Sequence, residues 1–283
     1  MTFADPGALQ MAKHAAELGA AALMFGSFLV EIVASRFVRR DQHHDLRDTL
    51  TNVVIGAGYL LSAGLLGIAV TALLVAVWTW SPLRWDMRSP WHWVALVLLE
   101  DFLYYWSHRA SHHFRVMWAS HVVHHNSPRL NLSTGMRNSW VGGLLDWIFF
   151  VPMAAAGFHP LSIGIVQASA TAWDFLTHTP YFPRNRALDF FFNSPSNHRV
   201  HHGTGAAYTD KNFGGFLIIW DRLFGTYARE EAPVRYGSSV MPARPYNPIY
   251  VELYLWAALV RSAFNRKNVA ERSSSSGPAV LGG

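Results

Sequence analysis

From Val53 to Trp80 the chain runs 28 residues without a charged side chain. A bilayer crossing takes about 20 apolar residues, so this stretch predicts a membrane-spanning helix with room to tilt. Upstream, "AALMFGSFLVEIVAS" predicts a weaker first span over 20–35, interrupted by Glu31. Downstream, Trp91 to Leu99 continues through Glu100 and Asp101 into "FLYYWSH" and predicts a third helix whose end turns polar. "SWVGGLLDWIFFVPMAAAGF" (139–158) and "PLSIGIVQASATAWDFLTH" (160–178) predict a helical pair, and the join at His159-Pro160 leaves space only for a tight hairpin. "YNPIYVELYLWAALVRSAF" (246–264) reads as an amphipathic or membrane-lying helix, and the last dozen residues, with "SSSSG", as a disordered tail. The pattern therefore predicts an all-α integral membrane bundle of about four to five spanning or re-entrant helices. Its parts are N-terminal transmembrane helices (1–89), a central region (90–235) and a C-terminal helix with its tail (236–283).

Composition strengthens the membrane reading. Of 283 residues, 51% are hydrophobic and 14% charged, against roughly 25% charged in a soluble domain. The absence of cysteine excludes disulfides, thiolate metal ligands and a cysteine nucleophile. A net charge of +5 could serve nucleic acid or anionic lipid; in so apolar a chain, lipid headgroups are the better partner and no nucleic acid is expected. The N-terminus has no basic stretch followed by a small-residue cleavage site, so no cleavable signal peptide is expected. Arg36, Arg39, Arg40 and Arg47 follow the first span, which places that loop in the cytoplasm. Counting spans onward, His108, Arg109, Arg115 and His178 fall at the same face. The expected location is multi-pass in a bacterial inner membrane, or in the endoplasmic reticulum membrane of a eukaryote.

The chemistry lies in histidine. Six of the 15 histidines occur in "HRASHHFRVMWASHVVHH" (108–125), and "HRVHH" follows at 198–202. Residues three and four apart share a helix face, with Cβ atoms about 5–6 Å apart. His108 and His112 thus point together, as do His121, His124 and His125, and again His198, His201 and His202. Neutral imidazole is the commonest protein metal ligand. With His178 these make nine ligands, more than the three or four of a zinc site, and enough for two metals at five or six coordination each. His14, His43, His44 and His92 lack such spacing and read as surface or interfacial. His159 reads as structural, and His113 is about 100° off the ligand face.

Other metal and hydrolase chemistries fit less well. A zinc peptidase needs HExxH, and Arg109 stands where its glutamate would be. No G-x-S-x-G offers a serine nucleophile. A metal transporter would hold its ligands in mid-membrane, whereas these sit at helix ends.

"HRASH", "HVVHH" and "HRVHH" together resemble the three histidine boxes of the fatty acid hydroxylase/sterol desaturase superfamily, over about 90 to 230. "YYWSHRASHHFRVMWASHVVHHNSPRLNLSTGMRNSW" and "TDKNFGGFLIIWDRLFGTY" resemble the alkylglycerol monooxygenase-like branch and its bacterial relatives. The resemblance implies a membrane-bound, non-haem enzyme with two Fe ions, for which Zn could substitute. It would use O₂ and two electrons to hydroxylate a C–H bond in a fatty acyl, sterol or ether lipid. A lipid desaturase could share every ligand, and a non-catalytic metal- or lipid-binding membrane protein is the alternative of another class. Two divalent ions on neutral ligands call for nearby carboxylates to orient the rings. Asp101, seven residues before His108, and Asp174, four before His178, are the candidates. Asp210 and Asn212 follow the last box in "DKNFGG", where a tight turn gives them either a structural or a supporting role. Asn131 and Arg137 could meet a lipid headgroup or hold the metal cap together. With no GxGxxG, no cysteine and no HPGG, electrons would come from a separate donor, a cytochrome b5-like or ferredoxin/reductase partner docking at the cytoplasmic face.

Overall fold

In a computed structural model, residues 5–275 are described. Two long helices dominate the N-terminal third. α1 (Pro6–Val33) starts on Asp5, whose carboxylate accepts from the Gly7 N–H, and ends in a π-helical turn over Ala34–Arg39. α2 (Leu46–Trp80) starts on Asp45, which accepts from the Asp48 N–H. At about 1.5 Å per residue, its 35 residues reach about 52 Å. Both are long and apolar enough to cross a membrane. Their outer faces carry bare apolar side chains, Leu65 at 71% and Ile68 at 77% exposure among them, which water would not favour and lipid would.

α3 (Pro90–His113) and α4 (Arg115–His125) carry the first two histidine boxes and are divided at Phe114, whose backbone is extended. Four short helices follow: α5 (Leu132–Gly135), α6 (Gly142–Asp146), α7 (Val151–Ala155) and, after these, α9 (Leu188–Phe191) beyond the long α8 (Pro160–Thr177). α10 (Pro195–His201) carries the third box, then come α11 (Ile219–Phe224) and α12 (Pro248–Ser275). Among the described residues no strand forms beyond two isolated bridges, so the architecture is all-α.

Several expectations change. The first helix starts at Pro6 rather than near residue 20, because the polar residues before it still alternate at helical spacing. Glu31 interrupts it for a reason: its Oε1 accepts from the Leu132 N–H at 2.7 Å and meets His44 Nε2 at 3.1 Å. α3 is helical where expected, but among the described residues only α1 and α2 are apolar enough to be candidate spans; Glu100, Asp101 and the box dilute α3. Residues 139–158 are not one helix. The stretch breaks into α6, a 3-10 turn (Trp147–Phe149) and α7, with Gly142 and Gly143 opening α6 and Pro152 in the first turn of α7, where proline is tolerated. α12 is helical through Ser275, which takes in the start of the expected tail; the rest of that tail lies outside the described residues.

Contacts define two ends of the bundle. At one, the α1–α2 loop meets the segment after box two: Asn131 Nδ2 donates to the His43 carbonyl at 2.7 Å and Arg129 Nε to the Gln42 carbonyl at 3.0 Å. The arginine-rich loop and the histidine boxes therefore share an end. At the other, Trp78 Nε1 donates to Gly157 O at 3.2 Å and Ser81 Oγ to Ala155 O at 2.8 Å. An apolar core of Leu74, Met87, Leu96, Met153, Phe158 and Ile163 fills that end.

One close approach fixes the boxes against α2. A Cβ on Gly56 would lie 2.7 Å from the Met136 carbonyl oxygen, so only glycine lets the segment after α5 lie against the helix. Gly56→Val is expected to cost about 1–3 kcal/mol by overpacking, measured as a lowered melting temperature in detergent; a wild-type melt would remove this contact from the account.

Candidate metal centre

The nine histidines converge and divide into two groups. His108, His112, His121, His125 and His201 form one; His124, His178, His198 and His202 form the other. Within each group the candidate ligand atoms all lie within 4.8 Å of one another. The groups adjoin, with ring centroids of His125 and His202 only 4.5 Å apart.

This partition refines the shared faces read from the sequence. His121 and His125 stand one turn apart and join group one, while His124 turns to group two. His198 and His202 join group two, while His201 turns to group one. Neighbouring residues on a helix are about 100° apart, so His124 and His125 cannot both meet one ion, nor can His201 and His202. Each HxxHH box thus serves both groups and ties them together. His113 obeys the same geometry: it is exposed and outside both groups. His159 caps α8, its Nδ1 accepting from the Leu161 N–H.

The orientation of the rings can be followed through Nδ1. His108 Nδ1 lies 3.0 Å from Phe213 O, His201 Nδ1 3.0 Å from Lys211 O, His124 Nδ1 3.3 Å from Arg137 O, and His178 Nδ1 2.9 Å from Asp174 O. A carbonyl only accepts, so in these neutral rings Nδ1 carries the proton and Nε2 presents a lone pair. Yet His124 Nε2 and His178 Nε2 face each other at 3.1 Å. Two lone pairs at that distance repel unless a cation lies against both. His112 Nε2 and His201 Nε2 are buried without a partner, as ligand atoms awaiting an ion would be. The spacing agrees: bonds of about 2.1 Å put two ligands at right angles about 3.0 Å apart, and His108–His121 and His198–His178 are each 3.0 Å between Nε2 atoms. The donor set fits metal in both groups.

The supporting residues divide differently from expectation. Asp210 meets His112 Nδ1 at 3.2 Å. Asp174 supports His178 through its backbone carbonyl, while its carboxylate accepts from the Tyr104 hydroxyl at 3.3 Å. Asp101 touches no histidine; its carboxylate accepts from the N–H groups of Phe216 and Leu217 and from Trp220 Nε1. Asn212 donates to Asn197 O and Ala228 O and accepts from the Ala228 N–H. Asp210 and Asn212 both have positive φ, 57° each, which Asp and Asn tolerate better than most residues. The turn they make presents the Asp210 carboxylate, Lys211 O and Phe213 O to His112, His201 and His108 of group one. Asp221, unremarked in the sequence, holds that turn by accepting from the N–H groups of Phe213 and Gly214. Its only sequence signal is its place in "DKNFGGFLIIWD". Asn131 and Arg137 are fully buried. Asn131 caps α5, and Arg137 Nε donates to Val123 O at 2.7 Å and its Nη1 to Asn52 Oδ1 at 2.8 Å. Both therefore hold the cap together from inside.

Burial, with the charge of neighbouring imidazoles added, pushes His121, His124, His125, His198, His201 and His202 well below the ordinary histidine value. In the unfolded chain these rings protonate near pH 6.5; in the folded chain they stay neutral lower. Between those values the unfolded state binds more protons, so stability rises with pH across the window and is lost as pH falls below about 6.5. Metal affinity falls in the same direction, since only neutral rings ligate. Melting temperature and metal content, followed from neutral into mildly acidic pH, are expected to drop together; a flat profile would contradict the burial of these rings.

The described residues thus combine two helices long and apolar enough to cross a membrane with two adjoining all-histidine groups that could hold metal. Residues 93–226, just under half of the chain, match the family model described as Fatty acid hydroxylase. The chain is 35% identical over 262 residues to human alkylglycerol monooxygenase, covering 88% of this chain and 57% of that protein. It is 29% identical over 143 residues to an ornithine lipid hydroxylase of Rhizobium tropici, covering 48% and 42%. It is 27% identical over 140 residues to a Delta(7)-sterol 5(6)-desaturase of Aspergillus fumigatus, covering 47% and 38%. All three relatives are named as oxidoreductases. The chain spans about half the length of the alkylglycerol monooxygenases it matches. No solved structure matches it significantly.

Proposed function

We propose that the chain is a membrane-bound lipid hydroxylase whose two histidine groups hold two irons. The observation that carries this reading is the pair of bare Nε2 atoms on His124 and His178, repeated in the orphaned Nε2 atoms of group one. Nine neutral ligands suit a centre that binds O₂ and cycles its charge, and exceed the needs of a structural zinc site. When bound, the irons would supply O₂ activation and the electron storage for attack on an unactivated C–H bond. His108, His112, His121, His125 and His201 would hold one, and His124, His178, His198 and His202 the other.

The protein's own work is orientation. The 210–213 turn and the Arg137 and Asp174 carbonyls fix the rings, so the centre does not reorganise when its charge changes. α3 and α8 join α1 and α2 as further spans, with the cap at the arginine-rich, cytoplasmic end. The substrate arrives from the bilayer, and electrons come from a separate cytochrome b5-like or ferredoxin/reductase donor.

The test is metal content per chain on protein purified with iron available, together with lipid extracts from expressing and non-expressing cells. Two irons and a lipid heavier by one oxygen are expected. A lipid short of a hydrogen pair would instead support desaturation, the reading that the sterol desaturase relative favours. Well-folded protein without bound metal would overturn both.

A further inference from the structure

Resting on that reading, the reaction makes a demand that the carbonyl-bound histidines cannot meet. Hydroxylation with O₂ follows R–H + O₂ + 2e⁻ + 2H⁺ → R–OH + H₂O. The electrons come from the external one-electron donor and the protons from bulk water. Each proton must reach a centre whose rings are buried. His108, His124, His178 and His201 have Nδ1 committed to carbonyls and Nε2 committed to metal, so they have no free nitrogen to pass a proton along.

A cavity of about 60 Å³ reaches the centre by another way. Tyr59 of α2, Ser111 of α3, Ser120, His121 and His124 of α4, and Asp146 of α6 line it. His121 belongs to group one and His124 to group two, so the cavity touches both. Pockets for lipid-sized ligands run to roughly 300–1,000 Å³, and this one is far smaller. At about 10–15 Å³ per water it has room for roughly four to six. No lysine or arginine lines it. The Asp146 carboxylate has no hydrogen-bond or salt-bridge partner among the described residues. Asp146 is part-buried, and a carboxyl without a partner is free to exchange protons with whatever fills the space beside it.

We propose that this cavity is a water-filled proton path to the metal centre and that Asp146 passes the protons along it. Asp146 takes a proton from the solvent side, releases it through water toward the oxygen being reduced, and is protonated again. Two such cycles serve one turnover, and the carboxyl ends as it began. The titratable groups facing it are Tyr59 from α2, Tyr104 from α3 and His121 and His124 from α4. α6 lies at the cap end, outside the candidate spans, and burial pushes the Asp146 carboxyl up to about 7, which leaves both its forms populated near neutral pH. The path can also be narrowed without touching a ligand. A Cβ on Gly142 would lie 3.5 Å from Ser120 Oγ and 3.8 Å from Asp146 Oδ2, in ordinary contact with both.

The test uses the full chain in lipid nanodiscs. Asp146→Asn is expected to keep its metal content and helical signal, to lose about 100-fold in turnover, a typical contribution of a proton-transfer group, and to show a larger solvent deuterium isotope effect. Asp146→Glu is expected to restore most of the rate, and Gly142→Ala to slow it while folding normally. A readout independent of turnover is infrared spectroscopy of metal-free protein: a protonated-carboxyl band that shifts in D₂O and disappears in Asp146→Asn. Wild-type turnover and isotope effect in Asp146→Asn would overturn the proposal, as would a carboxyl band that does not exchange. If the wild type oxidises no lipid while the band still exchanges, the oxygenase reading falls and water access at Asp146 stands.

Discussion

His124→Ala is expected to empty the second histidine group of metal and abolish lipid turnover, while the chain remains inserted in the membrane. Group two has four histidines, and alanine leaves three. Loss of a residue that merely orients a ligand costs 10–100-fold in metal affinity or activity, so loss of the ligand itself should exceed about 100-fold. The five rings of group one do not include His124, so metal content should fall by about half rather than to zero. His113→Ala is the control, since His113 is exposed and stands outside both groups; it should leave metal and turnover unchanged. Retained turnover in His124→Ala, or equal loss from both groups, would sink the partition.

Arg137→Met is expected to destabilise the protein by about 3–5 kcal/mol, the usual cost of leaving one member of a buried ion pair behind. Arg137 Nη1 lies 3.6 Å from Asp48 Oδ1, with the two side chains 0% and 1% exposed. Asp48 Oδ1 makes no hydrogen bond, so this guanidinium offsets its charge at that oxygen, while Ser127 Oγ donates to Asp48 Oδ2. The same side chain ties α2 to α4 through Asn52 and Val123 O, while its own carbonyl meets His124 Nδ1. The substitution should therefore weaken metal binding at group two, by roughly 10–100-fold, as well as lowering the melting temperature. Asp48→Asn added to Arg137→Met should recover part of the stability by removing the stranded charge. A single mutant that melts like wild type would show that the pair contributes nothing.

Spacing along the chain determined much of this protein. The charge-free run at 53–80 lies within α2, and the HxxxH and HxxHH spacings align eight of the nine histidines on shared helix faces, because turn-to-turn alignment on a helix is a local property. The alignment of His121 with His125 and of His198 with His202 needed nothing beyond the helical period. The same period separates adjacent residues by about 100°, so the splitting of each HxxHH box was implicit in it; which group each member joins depended on how α4 and α10 face each other.

Tertiary structure decided the rest. The acceptors that fix the rings are mainly backbone carbonyls of residues 137, 174, 211 and 213, and every residue type carries a carbonyl, so sequence offers no mark for them. Asp101 matched the helical spacing to His108 and yet binds the N–H groups of residues 216 and 217. Period fixes the face of a helix but not the neighbour that packs on it. Arg137 and Asn131 are polar residues that a surface would suit equally well; only the folded chain buries them among Asp48, Asn52 and Ser133. Local periodicity thus set which box histidines share a face, and long-range packing brought in His178 and set which group each joins and what holds it in place.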